Sequence, residues 1–261
     1  MGGRAVVVTS WCWAAASSRG VSHERAGTRL QDSIASFLIR VPSSEYFVGI
    51  VCDGAGSAPF GGQGASLVCR SFSVAARHHF RTHTTLPTRE HIDGWIDNAR
   101  DLLGAVATRR GLALRDFAAT LVCVISNGMT SLIAHIGDGC VVLKDDVLNC
   151  LVAPTWPFHG EYVSTTAFVT DDEGARLQFV NYANPVSALA AFSDGIERLA
   201  LDFVTRQPFR PFFESMLRPL LVGNTVGRDR YLSSHLATYL NSSAVNARTD
   251  DDKSLILAVR R

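Results

Sequence analysis

The chain has 261 residues, 47% of them hydrophobic, which is enough to fill a sizeable core. Its 25 Lys and Arg against 24 Asp and Glu leave a net charge of +1, without the basic excess of nucleic-acid or membrane-surface binders. No apolar run approaches the ~20 residues of a membrane-spanning helix.

In chain order, Arg4 and AVVV running into WCWAAAS imitate a signal peptide only faintly. There is one charge, and Thr9 and Ser10 break the apolar stretch, so a first β-strand is expected. MGGRAV has Val6 where N-myristoylation requires Ser or Thr. Ile34–Val41 is an apolar stretch, and Phe47–Cys52 is a short apolar run stopped by Asp53-Gly54, as a strand is. Ala65, Val68, Phe72, Ala75 and Ala76 then recur at helical spacing, predicting a helix over 63–80. Thr88 is the expected N-cap of a second helix, with Ile92, Trp95, Ile96, Ala99, Leu102, Leu103 and Val106 on its apolar face. On the first helix, Arg77, His78, His79 and Arg81 read as a solvated face.

The period then shortens. Ala119–Ser126, Ser131–Ile136, Cys140–Lys144 and Val147–Val152 are strand-like runs separated by Asn-Gly, Gly-Asp-Gly and Asp-Asp breaks. Val163–Thr170 and Arg176–Tyr182 predict a further hairpin across DDEG, and Ala188–Ser193 a buried strand. Helices are expected over 209–221 and 229–240, and SLILAV closes the chain as a strand. Hairpins in series and helices in consecutive pairs predict an α+β protein with antiparallel sheets, in one domain spanning 1–261. The six cysteines, at 12, 52, 69, 123, 140 and 150, form no Cys-x-x-Cys and no zinc-finger spacing, and read as reduced, mostly buried thiols of a cytoplasmic protein.

Carboxylates recur where strands end or begin. Asp53-Gly54, Gly137-Asp138-Gly139 and Asp194-Gly195 each follow an apolar run. Asp250-Asp251-Asp252 precedes SLILAV, and Gln31-Asp32 precedes Ile34–Val41. Singly, these are turn residues or solvated loop charges. Together they supply the oxygen ligands that hard divalent cations such as Mg²⁺ and Mn²⁺ require, with glycines that let backbone oxygens approach.

The ordered set Asp53-Gly54-x-Gly56, Gly137-Asp138-Gly139, Ser193-Asp194-Gly195 and Asp251-Asp252-Lys253-Ser254 resembles the type 2C metal-dependent serine/threonine protein phosphatases, the PPM family. FAATLVCVI, AFSDGIERL and DDKSLILAV resemble family strands, and GVSHERAGTRLQDSI and GEYVSTTAFVT resemble a compact bacterial branch. The resemblance covers about Trp13 to Val259. It implies a four-layer α/β/β/α sandwich, two antiparallel sheets flanked by helix pairs. It also implies two Mn²⁺ or Mg²⁺ ions, with a third held more weakly. Asp53 would bridge the pair and Gly54 offer its carbonyl. Asp194 and Asp251 would ligate one ion, Asp32 would act directly or through water, and Asp138 would help hold the third. The implied reaction is in-line attack of an activated, metal-bridging water on phosphoserine or phosphothreonine, without a phosphoenzyme.

Two positions depart from the family pattern. His23 falls where many relatives carry a phosphate-binding Arg, with Arg19 and Arg29 nearby as substitutes, and Ala55 falls where some carry an acid His. A protonated His23 can bind phosphate, but not in the bidentate manner of Arg. The alternatives are a non-catalytic module of the same fold that binds a phosphoprotein or kinase partner, and a hydrolase of small phosphate esters. An idle site has no reason to keep mutually repelling carboxylates together. The expected partner is a phosphorylated protein, a Ser/Thr kinase or its target, met by a free-standing, soluble, monomeric enzyme without nucleic acid or membrane.

Overall fold

The structure, a computed structural model, describes residues 10–158, 166–171 and 176–261. In chain order the elements are β1 (Trp11–Ser18), α1 (Val21–Arg25), β2 (Ser33–Val41), β3 (Ser44–Cys52), α2 (Gly61–Thr82) and α3 (Arg89–Arg110). There follow β4 (Leu121–Ser126), β5 (Ser131–Ile136), β6 (Cys140–Asp145), β7 (Cys150–Val152), β8 (Gln178–Tyr182) and β9 (Val186–Phe192). The last part holds α4 (Glu197–Ala200), β10 (Leu201–Asp202), β11 (Gln207–Pro208), α5 (Arg210–Val222), β12 (Gly227–Arg228), α6 (Arg230–Leu240), α7 (Ser243–Asn246) and β13 (Lys253–Arg260).

Alternation along the strands dictates the layering, because successive side chains point to opposite faces. In β3, Tyr46, Val48, Ile50 and Cys52 pack toward α2 and α3, while Phe47 and Val51 face the other sheet. In β13, Leu255, Leu257 and Val259 pack with α5 and α6, while Ile256 and Ala258 face inward. One sheet runs β12-β1-β13-β9-β6-β7 and the other β2-β3-β4-β5-β8. The pairings within both are antiparallel except the two-residue contact of β12 with β1. The middle layer holds Trp11, Trp13, Phe47, Val124, Leu189 and Ile256. This is the expected four-layer sandwich.

The helices follow their sequence signals. Thr88 caps α3, its hydroxyl accepting from His91 N, and Gly111 ends it in the left-handed conformation at φ 66°. The reciprocal partner in this cap is the His91 side chain.

Three expectations are corrected, and a fourth falls outside the described residues. The strand predicted over Val147–Val152 is reduced to Cys150–Val152, because Asp145 Oδ1 accepts from Val147 N and Leu148 N and folds that stretch into an exposed turn. The strand predicted over Val163–Thr170 lies outside the described residues at 163–165. Residues 166–170 form no strand, since Asp171 accepts from Phe168 N and donates its own N–H to Phe168 O. The expected solvated face of α2 includes His79, which is buried and donates through Nε2 to Thr85 O. Arg77 on the same face lies over the Phe37 ring at 3.4 Å. The AVVV stretch expected to open the first strand lies outside the described residues.

Register places the strand ends. Ser33 pairs with Cys52, Leu121 with Ile136, and Phe192 with both Cys140 and Leu255. The residues just before β2, after β3, between β5 and β6, after β9 and before β13 therefore share one end of the sandwich. Asp32, Asp53, Asp138, Asp194 and Asp251 occupy those five positions.

Candidate metal centre

Asp53 leaves β3 on a segment held by the stretch leading into β4. Its N–H donates to Thr120 Oγ1 (3.0 Å), and its carbonyl accepts from Thr120 N (2.8 Å). Gly54 bridges Ala119, and a Cβ there would stand 2.2 Å from the Gly61 carbonyl carbon at the start of α2. Only glycine permits that approach, which brings the helix against the Asp53-Gly54 turn. Gly137, at φ 114°, turns the chain into Asp138, whose Oδ2 accepts from Thr166 Oγ1.

Asp53, Asp138 and Asp194 each offer a carboxylate oxygen within 4.8 Å of the other two. Asp32 is buried beside them. Its Oδ2 accepts from Ser193 Oγ (2.8 Å), and Ser193 Oγ in turn accepts from Ser254 N (3.0 Å). The Oδ1 atoms of Asp32 and Asp194 are buried and have no hydrogen-bond partner. Asp251 stands outside this knot, about half exposed, yet close enough for its charge to act on Asp194.

Burial, and then the neighbouring charges of Asp32 and Asp194, hold Asp53 well above the usual carboxylate range. Asp194 is raised in the same way, by burial and then by Asp138, Asp251 and Asp32. Asp32 is pushed up to about 6, chiefly by burial. Such a set needs protons or cations to exist. With oxygen donors alone, two of them buried and unsatisfied, it fits a hard divalent cation.

Two acidic residues here are additional to the sequence-based set. Glu197 is pushed up to about 7 by burial and then by Asp138. Its spacing of i+3 from Asp194, across the turn that opens α4, was the available signal. Asp252 is buried and ties the chain around 20–31 to β13. It accepts from Gly20 N (2.6 Å) and Gln31 N, and its Oδ2 lies 2.9 Å from His23 Nδ1. The His23 contact is close but not aligned as a hydrogen bond. His23 Nε2 is 3.8 Å from Asp251 Oδ1, so the ring sits between two carboxylates rather than alone. Arg19 is turned to Glu24 and Thr28 O. Beside Asp194 and Asp251 opens a polar groove of about 330 Å³, flanked by Arg198 and Arg248.

An antiparallel sandwich with an oxygen-only acidic centre at one end defines a metal-dependent hydrolase class. Residues 19–241 match the profile of the family described as Protein phosphatase 2C. Over 252 residues the chain is 34% identical to serine/threonine-protein phosphatase 3 of Escherichia coli (strain K12), covering 96% of this chain and 98% of that one. The serine/threonine phosphatase PstP/Ppp of Mycobacterium tuberculosis superposes with a TM-score of 0.65 at 16% identity, covering 96% of this chain and 98% of that chain. The catalytic domain of PstP in complex with 2 manganese ions superposes with a TM-score of 0.66 at 16% identity, covering 97% and 99%. The chain belongs to the protein phosphatase 2C family, and by that membership it is a metal-dependent phosphoprotein phosphatase.

Proposed function

We propose that this chain hydrolyses phosphoserine and phosphothreonine monoesters in proteins, with two Mn²⁺ or Mg²⁺ ions and a third, weaker one held by Asp32, Asp53, Asp138, Asp194, Asp251 and the Gly54 carbonyl. The observation that carries the proposal is the convergence of these five carboxylates on one end of the sandwich, with two buried oxygens left unsatisfied. The two manganese ions of the PstP catalytic domain support the choice of ion. Bound there, such ions lower the pKa of water to give a nucleophile near neutral pH and offset charge on the phosphoryl oxygens.

The protein's own groups have separate tasks. Ser193 orients Asp32, Thr166 orients Asp138, and Thr120 fixes the backbone at Asp53. Arg198 and Arg248 present guanidinium groups to a phosphopeptide lying in the adjoining groove. His23, gripped from the Asp252 side, is the remaining candidate for contact with the substrate phosphate. The substrate is a phosphorylated protein, a Ser/Thr kinase or its target. The enzyme acts as a cytoplasmic monomer. It is one phosphatase-like domain over 1–261, and the interior that both sheets share supports the single domain.

Among the described residues no helix is long and apolar enough to cross a membrane. The test is phosphate release from a phosphothreonine peptide, with and without millimolar Mn²⁺, beside Asp53→Asn. Release that needs Mn²⁺ and falls by more than about a hundredfold in the variant is expected. A folded protein without turnover under any condition would instead support a regulatory module that binds phosphoproteins.

A further inference from the structure

We propose that His79, His83 and His91 form a second metal site, for a borderline transition-metal cation of the Zn²⁺ class, at the far end of α2 from the acidic centre. The three residues lie around the turn that joins α2 to α3. His79 is in the last turn of α2, His83 caps that helix, and His91 is in the first turn of α3. One ring nitrogen from each lies within 4.8 Å of the other two.

Hydrogen bonds decide which nitrogens are available. His79 Nε2 is 3.0 Å from Thr85 O, and His83 Nδ1 is 3.1 Å from His79 O. A ring nitrogen facing a carbonyl carries the proton, so His79 Nδ1 and His83 Nε2 hold the lone pairs. His91 Nδ1 is 2.7 Å from Thr88 Oγ1 and 3.2 Å from Thr88 N. In the metal-free cap Nδ1 accepts from Thr88 N, so metal binding must exchange that bond for an Nδ1–H donated to Thr88 Oγ1, which leaves His91 Nε2 as the third ligand. A ligating histidine whose other nitrogen donates to a carbonyl or hydroxyl is the usual second layer of a metal site.

The remaining geometry is compatible with modest closure. Three nitrogens on a tetrahedral Zn²⁺ lie roughly 3.3 Å apart, given bonds of about 2.0–2.1 Å. The His79 and His83 rings are stacked at 4.4 Å, so one of them must rotate to aim its lone pair inward. His83 is exposed at the helix end and can tilt about its Nδ1 contacts with His79 O and Thr82 Oγ1, whereas His79 is buried. The trio borders a cavity of about 500 Å³, also lined by Ser71, Trp95 and Asn98, which leaves a fourth position open to water. Burial, and then His83 and His91, lower the His79 pKa, which favours the neutral, ligating form near pH 7.

Imidazole nitrogens without a carboxylate among them select Zn²⁺, Ni²⁺ or Cu²⁺ over Mn²⁺ and Mg²⁺. At a rise of about 1.5 Å per residue, the 22 residues of α2 span roughly 33 Å, so the two centres are separate. The bound ion would clamp α2 to α3 where Tyr46 OH already donates to Thr84 O.

The test is calorimetric titration of the full chain with Zn²⁺ in excess Mg²⁺, together with the visible absorption of added Co²⁺. One equivalent is expected to bind, raising Tm, and His83→Gln and His91→Gln should each weaken it at least about tenfold. Asp53→Asn should leave that equivalent in place, and Mn²⁺-supported phosphate release should be unchanged in both histidine variants. Zn²⁺ binding that the histidine variants retain, or that Asp53→Asn abolishes, would overturn the proposal, as would no binding at all. The binding outcomes do not depend on whether the acidic centre turns over phosphopeptides.

Discussion

At the residue scale, the carboxylates of the acidic end divide into two kinds. Asp53, Asp138 and Asp194 crowd one another across 4.8 Å and gain nothing from the contact until a cation or protons arrive. Asp252 is instead satisfied by the chain itself, through Gly20 N and Gln31 N. The two neighbours Asp251 and Asp252 therefore do different work, although the sequence presents them as one acidic run. Replacing Asp252 by Ala leaves buried N–H donors without partners, at about 1–3 kcal/mol each. Urea unfolding of Asp252→Ala should show a loss of that order, with a weakened grip on the segment that carries His23 and Asp32. Asp251→Ala should change Mn²⁺ affinity while leaving the urea midpoint of the metal-free protein nearly unmoved, and equal midpoint shifts in the two variants would contradict the division.

At the element scale, α2 is held against the Asp53-Gly54 turn by the absence of a side chain at Gly54. In Gly54→Ala, a methyl group 2.2 Å from the Gly61 carbonyl carbon has only backbone to push on. The start of α2 or the Asp53 turn must move, and movement of the turn displaces the proposed ligands Asp53 and Gly54. Metal-dependent turnover is expected to fall by more than about tenfold while the far end of α2, packed through Phe72, Ala76 and Phe80, stays folded by circular dichroism. Full activity in this variant would show that the close approach has no role in the site. Strands and helices were legible wherever period and punctuation agreed, as in Ser131–Ile136 and the Thr88 cap. They were not legible where a side chain bonded to nearby backbone. Asp145 turned Val147 and Leu148 out of a strand, and Asp171 did the same to Phe168. His79 was misread for another reason. The solvated or buried state of one helix position depends on the neighbouring helix, which periodicity alone does not reveal.

At the scale of the whole molecule, proton and metal binding compete for the same carboxylates. In the metal-free fold Asp32 titrates at about 6 and Glu197 at about 7, above the ~4 of unfolded chains, and Asp53 and Asp194 are raised too. A raised carboxylate pKa favours the fold most fully below about pH 4, and that contribution is lost as pH rises through 6 to 7. The Tm of metal-free protein should therefore fall between about pH 5.5 and pH 8. With saturating Mn²⁺ the sign should reverse over the same window, because the ions bind the deprotonated groups and are released by acid. Scanning calorimetry with and without Mn²⁺ measures both slopes, and parallel slopes would mean that the ions bind elsewhere. The candidate site was readable because antiparallel register sends every second connection to the same end. The part played by Asp252 was not, because it depends on Gly20 N and Gln31 N, far away in the chain, whereas Glu197 carried only the weak signal of its spacing from Asp194.

That same register sends the alternate strand turns to the opposite end of the sandwich, away from the acidic centre. The turns between β2 and β3, β4 and β5, and β6 and β7 all lie there, and Val147 and Leu148 project from one of them with about two-thirds of their surface in solvent. The strand turns of this pole thus take no part in the acidic centre. A short Gly-Ser insertion between Val147 and Leu148 should cost under about 1 kcal/mol of stability and leave Mn²⁺-dependent turnover intact. Fusion tags, reporter domains or a cut-and-rejoined chain can be grafted at that pole, while the five connections at the other pole tolerate no such liberty.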